Sequence, residues 1–177
     1  MVQHLPIVET APPTHRSCEV RLHWATEDDT QAFAQRLAAL DGVRNAVVEL
    51  HGDLGAGKTT LVRHLLRALG VGGRIKSPTY AVVEPHEAPA SPQAPALSIW
   101  HFDFYRFTDP REWEDAGFRD VFASPGLKLL EWADNARTVL PPPDLTLALQ
   151  TQADDSRAVA LSAHTPHGQT LLQALTA

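Results

Sequence analysis

The residues Gly52-Asp53-Leu54-Gly55-Ala56-Gly57-Lys58-Thr59 follow the spacing G-x-x-x-x-G-K-[ST] without a gap, and Thr60 continues the string. Each fixed position has a chemical reason. Glycines at 52, 55 and 57 permit backbone angles that turn successive N–H groups inward, so that the amides from Gly52 through Asp53, Ala56 and Thr60 can cradle phosphate oxygens. A helix starting at Lys58 would aim its positive end at the same anion. The Lys58 ammonium can reach β- and γ-phosphates, and the Thr59 hydroxyl can fill one place in the octahedron around Mg²⁺.

Such a loop needs an acid at the end of a neighbouring strand to hold the metal or its water. Two candidates exist. Asp103 follows Leu97-Ser98-Ile99-Trp100-His101-Phe102, and Glu131 follows Leu127-Lys128-Leu129-Leu130. The residues alone leave open which of them ligates the metal. Ser77-Pro78-Thr79 lies between the glycine-loop helix and the next strand, where a Thr79 hydroxyl can sense a γ-phosphate. Trp132 follows Glu131, beside the nucleotide or in the core. No Asn-Lys-x-Asp string for guanine occurs, which favours ATP over GTP. No glutamine is placed like that of Ras, so unaided turnover is expected to be slow, on the order of 10⁻³ per second by analogy with unstimulated GTPases.

Other signals are weaker. His164 and His167 are separated by Thr165-Pro166, which spoils a helical metal pair. Arg63, Arg67, Arg74 and Lys76 form the densest basic stretch, either a docking surface or a solvated helix face. Arg106 can supply positive charge in cis or form a structural salt bridge. Cys18 is the only cysteine, so no disulfide can form within the chain, which fits a reducing compartment.

The elements that must position these residues can be traced along the chain. Thr26 reads as the N-cap of a helix with Phe33, Leu37 and Leu40 on one face, ending at Asp41-Gly42. Residues 46–50 read as a buried strand, and Lys58 opens a helix carrying Leu61, Leu65, Leu66 and Leu69 to a stop at Gly70. Strands are expected at 79–84, 97–104 and 127–132, with a flexible proline-rich loop at 85–96. A short helix is expected over 110–116, late strands at 145–149 and 158–161, and a closing helix over 171–175. Alternation of helices and strands around a glycine loop gives an α/β fold: a mostly parallel sheet flanked by helices, with one antiparallel hairpin.

The 177 residues suffice for one domain, expected over 21–177 with an extension over 1–20. Hydrophobic residues make up 44%, and no apolar run reaches membrane-spanning length, so a cytoplasmic protein away from membranes is expected. The net charge of -6 disfavours direct retention of nucleic acid by phosphate neutralisation and points to a partner for any RNA contact.

Taken in order, Gly-Asp-Leu-Gly-Ala-Gly-Lys-Thr-Thr (52–60), Ser-Pro-Thr-Tyr (77–80), His-Phe-Asp-Phe-Tyr-Arg (101–106) and Glu-Trp (131–132) resemble the bacterial tRNA threonylcarbamoyladenosine biosynthesis ATPase family TsaE. The likeness covers about residues 22–165, with a longer loop at 85–96 and Phe104 where leucine is common. It implies an ATPase that acts with TsaB and TsaD, which transfer a threonylcarbamoyl group to adenosine 37 of tRNAs reading ANN codons. By the same likeness Lys58 binds phosphate, Thr59 and Glu131 are magnesium ligands, Asp103 is the Walker B-like acid, Thr79 belongs to a switch-like loop and Trp132 lies near the nucleotide. Thr26 and Arg157 fall where the family completes its nucleotide pocket. Two other classes fit the residues: a small-molecule kinase, disfavoured because loop 85–96 carries no arginine or lysine for a lid, and a nucleotide-responsive binding module without turnover.

Overall fold

The computed structural model describes residues 19–92, 94–109, 111, 113 and 117–177. Cys18 and nearly all of the expected extension lie outside these residues, as do positions 110, 112 and 114–116 of the short helix expected over 110–116.

Seven strands form one sheet: β1 (Glu19–Trp24), β2 (Val47–His51), β3 (Val83–Ala88), β4 (Leu97–Asp103), β5 (Leu127–Glu131), β6 (Leu145–Thr151) and β7 (Arg157–Ala163). Their spatial order is β1-β7-β6-β2-β5-β4-β3. The inner strands β6, β2, β5 and β4 run parallel, so their carboxyl ends share one edge of the sheet. The remaining pairings, β3–β4, β6–β7 and β7–β1, are antiparallel. The expected mostly parallel sheet is therefore a mixed one. Only the turn at 152–156 separates β6 from β7, too short for the crossover a parallel pair needs.

Period-two alternation sets the two faces of the sheet. Val48 and Leu50 of β2, Leu127 and Leu129 of β5, and Leu145, Leu147 and Leu149 of β6 join the main core. The helices α1 (Glu27–Ala38) and α2 (Lys58–Ala68) close this face with Phe33, Leu37, Leu61, Leu65 and Leu66, and α4 (Pro166–Thr176) adds Leu171, Leu172 and Leu175. Thr165 caps α4 by accepting from the Gly168 N–H at 2.9 Å, with Pro166 in the first turn where a missing N–H costs nothing. On the other face a smaller aromatic core gathers Phe102, Phe104, Phe107, Trp113 and Phe118, the last from α3 (Phe118–Ala123). The sequence reading did not anticipate α3 or β1.

Two boundaries differ from expectation in ways that matter. The strand expected at 79–84 begins only at Val83, and Thr79 to Val82 form a turn closed by the Val82 N–H donating to the Pro78 carbonyl at 2.8 Å. Val82 has φ 66°, an uncommon conformation for a β-branched residue. The loop expected over 85–96 is partly strand. Pro85 sits in β3 at the sheet edge, where its lack of an N–H leaves no ladder bond unmade. The turn after β3 is tied down as well. Ser91 and Ala94 form a bridge, and the Arg44 guanidinium donates to the carbonyls of Pro95 and Ala96. Glu19 and Val20, expected in the extension, open β1.

Candidate functional site

The chain leaves β2 at His51 and enters α2 at Lys58, and the glycine loop fills the six residues between them. Three glycines adopt positive φ: Gly52 at 136°, Gly55 at 83° and Gly57 at 107°. Gly52 has a second constraint, because a Cβ there would stand 2.3 Å from the Leu149 carbonyl oxygen. At Gly55 nothing lies within 4 Å of that position, so the loop is open towards the cleft.

Lys58 reaches back beneath the loop. Its ammonium donates to the carbonyls of Gly52 at 2.5 Å and Asp53 at 2.9 Å, and it lies 4.2 Å from the centre of the Trp132 ring. Burial pushes the ammonium down from its ordinary 10.5, against the pull of Glu131, Asp103 and Asp53. The lysine is thus a partly desolvated cation at the N-terminus of a helix, the chemistry that attracts a multiply charged anion.

Glu131 ends β5 and Asp103 ends β4, and the two are register partners across that parallel pair. Both are buried, at 2% and 3% exposure. The Thr59 hydroxyl donates towards Glu131, at 2.9 Å from Oε1 and 3.1 Å from Oε2. Asp103 is occupied differently. Its Oδ2 accepts from the Thr79 hydroxyl at 2.7 Å and from the Ser77 hydroxyl, and its Oδ1 accepts the Tyr105 N–H at 3.0 Å. The 77–82 turn is therefore fastened to one acid while the glycine-loop helix is fastened to the other.

These side chains line one cavity of about 250 Å³, whose walls include Lys58, Thr59, Thr79, Asp103, Glu131 and Trp132. A second cavity, of about 120 Å³, lies on the other side of the loop and shares Gly57 and Thr60 with the first. Thr26 and Arg157 both line it. Arg157 is held there by its Nε, which donates to the Ala56 carbonyl at 2.9 Å. Of the residues expected at the site, all but Gly52 and Asp53 line one or the other of these two hollows, which share Gly57 and Thr60 as walls.

A family model described as threonylcarbamoyl adenosine biosynthesis protein TsaE matches residues 24–159. The chain belongs to the TsaE family. A Haemophilus influenzae protein named tRNA threonylcarbamoyladenosine biosynthesis protein TsaE is 38% identical over 144 residues, covering 81% of this chain and 87% of that one. A Bacillus subtilis protein of the same name is 32% identical over 145 residues, covering 81% and 86%. Among solved structures, Bacillus subtilis YdiB superposes with a TM-score of 0.74 at 25% identity, covering 92% of this chain and 97% of that one.

Whether the TsaE side chains suit a hydrated Mg²⁺ and a nucleotide can be judged from their chemistry. Among the described residues no group of three or more His, Cys, Asp or Glu is arranged to hold a metal alone. Mg²⁺ does not need one: it keeps several waters and takes one or two protein oxygens beside phosphate oxygens. The Thr59 hydroxyl and the Glu131 carboxylate, in mutual contact at the foot of the glycine loop, are an oxygen pair of that kind. Asp103, whose oxygens already accept from the 77–82 turn and from Tyr105, stands beside them.

Other expected features went elsewhere. The Arg106 guanidinium lies 4.5 Å from the centre of the exposed Tyr80 ring. Arg67, exposed on α2, donates to the carbonyls of Val71, at 3.1 Å, and Gly73. His164 meets Thr146 at 2.7 Å and His167 meets the Gly42 carbonyl at 2.9 Å, on separate partners. Among the described residues no helix is long and apolar enough to cross a membrane.

Sequence reasoning missed an ionic network behind the loop, centred on the buried Glu49. Glu49, 1% exposed, accepts both guanidinium nitrogens of Arg137 at 2.8 and 2.7 Å and meets His51 Nε2 at 3.0 Å. His51 Nδ1 lies 3.4 Å from Asp134. Burial pushes the Glu49 carboxyl up, but bonds from His51 and Arg137 outweigh it and hold it below its ordinary 4.5. The bond to Glu49 raises His51 above 6.5. This network ties the strand that feeds the glycine loop to the turn that follows Trp132. The charged Glu49 within an apolar strand was its only sequence signal.

Proposed function

We propose that this TsaE-family protein binds Mg-ATP across the two hollows and slowly hydrolyses the γ-phosphate, in support of threonylcarbamoylation of adenosine 37 in tRNAs reading ANN codons, together with TsaB and TsaD. The observation that carries this reading is the convergence of Lys58, Thr59, Thr79, Asp103 and Glu131 on one cavity beneath an open glycine loop. The setting is cytoplasmic, where the tRNA is, and the tRNA is held through the partner complex, in keeping with the net charge of -6.

In this reading the loop amides from Gly52 to Thr60 and the Lys58 ammonium bind the phosphates. Lys58 exchanges its two loop carbonyls for phosphate oxygens, a trade made easier by its partial desolvation. Thr59 and Glu131 hold the cation, and Mg²⁺ when bound neutralises charge on the phosphate oxygens. Asp103 orients a water or the Thr79 hydroxyl, and Thr79 exchanges its carboxylate partner for one that reports the γ-phosphate. Trp132 packs over the phosphate end, while Thr26 and Arg157 enclose the remainder of the nucleotide. Among the described residues no glutamine lines either hollow to orient water, so in this reading the unaided reaction is slow, and a partner that completes the cleft accelerates it.

A small-molecule kinase would need a segment that closes over its acceptor. The turn at 89–96 is poorly placed for this, because it enters β4 at Leu97, about 20 Å along the strand from Asp103. The deciding experiment is phosphate release from Mg-ATP by the purified protein, alone and with TsaB and TsaD, with Lys58→Ala as control. Slow release that rises with the partners and disappears in the variant is expected. Release indifferent to the partners would overturn the assigned role, and a phosphorylated acceptor in place of free phosphate would favour the kinase.

A further inference from the structure

His101 occupies the middle of β4, two residues before Asp103 and on the same face of the sheet. The positions before it on that face, Leu97 and Ile99, are buried in the main core. An apolar side chain would continue the row. Instead the strand carries an imidazole with 0% exposure, whose Nε2 lies 2.9 Å from Glu131 Oε1. Its other nitrogen, Nδ1, is buried without a hydrogen-bond partner. Leaving a buried polar atom unmatched costs stability, because the water it gave up is not replaced by any protein partner. The ring therefore gives up stability at a core position, and among the described residues its hydrogen-bond partner is the carboxylate that faces Thr59.

We infer that His101 is a positioning residue: its Nε2–H holds Oε1 of Glu131 and so sets the direction in which the carboxylate faces the cation. The chemistry is that of an outer-shell donor. A carboxylate with free rotation about its last bond presents its lone pairs over a wide arc, and a hydrogen bond to one oxygen from a fixed ring narrows that arc. The fixity comes from the sheet, since His101 pairs in register with Leu129 of β5, two residues before Glu131. Thr59 approaches the carboxylate from α2 and His101 from β4, so Glu131 is gripped from two elements. The 2.9 Å contact requires the ring proton on Nε2, because an ionised carboxylate can only accept.

This inference rests on the Mg-nucleotide reading of the site. Its test is the Mg²⁺ dependence of binding of a fluorescent ADP analogue, with affinity in EDTA and the melting temperature of the nucleotide-free protein measured alongside. His101→Leu keeps the volume and removes the donor. The expected result is a 10–100-fold rise in the Mg²⁺ concentration needed for half-maximal enhancement of binding, with EDTA affinity within about twofold and a melting temperature no lower than wild type. His101→Gln, whose side-chain amide can place an N–H near the Nε2 position, should recover much of the loss. Unaltered Mg²⁺ dependence in His101→Leu, while the wild type binds normally, overturns this inference and leaves the site reading intact. A loss of EDTA affinity together with a lower melting temperature would assign His101 a purely structural role and overturn it as well. Absence of Mg²⁺-dependent binding in the wild type would overturn both.

Discussion

The Thr59 hydroxyl lies within hydrogen-bond distance of both carboxylate oxygens of Glu131, across 72 positions of sequence. A single hydroxyl proton serves two acceptors, so the bond is shared between the two carboxylate oxygens. Thr59→Ala should lower Mg-dependent phosphate release at least about 100-fold, the scale seen when a preorganised polar contact is removed from an active site. Thr59→Ser should stay within a few-fold of wild type. Turnover by Thr59→Ala at the wild-type rate would remove the magnesium assignment from this pair.

The loop glycines predict two different kinds of damage. Gly52→Ala places a methyl against the Leu149 carbonyl oxygen at a φ of 136°, so the backbone must move. A loss of roughly 2–4 kcal/mol in urea unfolding is expected, in line with strain at a special backbone position. Gly55→Ala meets no neighbour and bears only the positive-φ penalty, about 1–2 kcal/mol. Its main effect should appear in nucleotide affinity, because Gly55 lines the cavity. Equal destabilisation by the two variants would contradict the loop geometry.

Asp103 anchors the 77–82 turn through Ser77 and Thr79 while accepting the Tyr105 N–H on its other oxygen. Asp103→Asn replaces one acceptor oxygen with a donor, so either the turn or Tyr105 loses its partner. Amide hydrogen exchange over 77–82 should accelerate at least about tenfold, equivalent to about 1.4 kcal/mol of lost protection. Protection equal to wild type throughout that segment would show that the turn is held by its backbone alone.

The Glu49–His51–Arg137–Asp134 network predicts a pH window for stability. Glu49 has a lowered pKa in the fold, so its contribution is present above its ordinary 4.5 and is lost as pH falls through the folded value. His51 has a raised pKa, so its contribution is complete below its ordinary 6.5 and is lost as pH rises through the folded value. Both are fully present between 4.5 and 6.5. Urea midpoints measured across pH 4 to 8 should show His51→Gln flattening only the neutral side of the profile. Arg137→Ala should cost about 2–3 kcal/mol, at or below the low end for breaking a buried pair because the Arg137 side chain is 43% exposed. A His51→Gln profile parallel to wild type from pH 6 to 8 would remove histidine from the network.

Much of the site was legible because its parts are local. The glycine string, the following helix and the acids at 103 and 131 depend on short-range spacing, and the strands before those acids are apolar runs that end where the acids begin. What stayed hidden depends on pairing between distant segments. Thr79 was expected at the start of a strand, but Asp103, 24 positions later, captures its hydroxyl and that of Ser77, and the segment turns instead. β1 went unread because its outward positions, Glu19, Arg21 and His23, are polar and its other face is completed only by pairing with β7. The sheet's mixed direction depended on which strands the short connections join. His101 looked like one more residue in an apolar run, and its partner Glu131 is 30 positions away.

The tied-down turn between β3 and β4 has a practical consequence. It sits at the end of the hairpin remote from the acids, while the register Ile99↔Leu127 through Asp103↔Glu131 is fixed by strands downstream of it. Extra chain inserted between Pro89 and Pro95 leaves that register, and hence the spacing of the acids, where it is. The turn is therefore the natural attachment point for a dye, a surface tether or a cross-linker: a handle by which the molecule can be held and watched while the opposite edge of its sheet is left free to work.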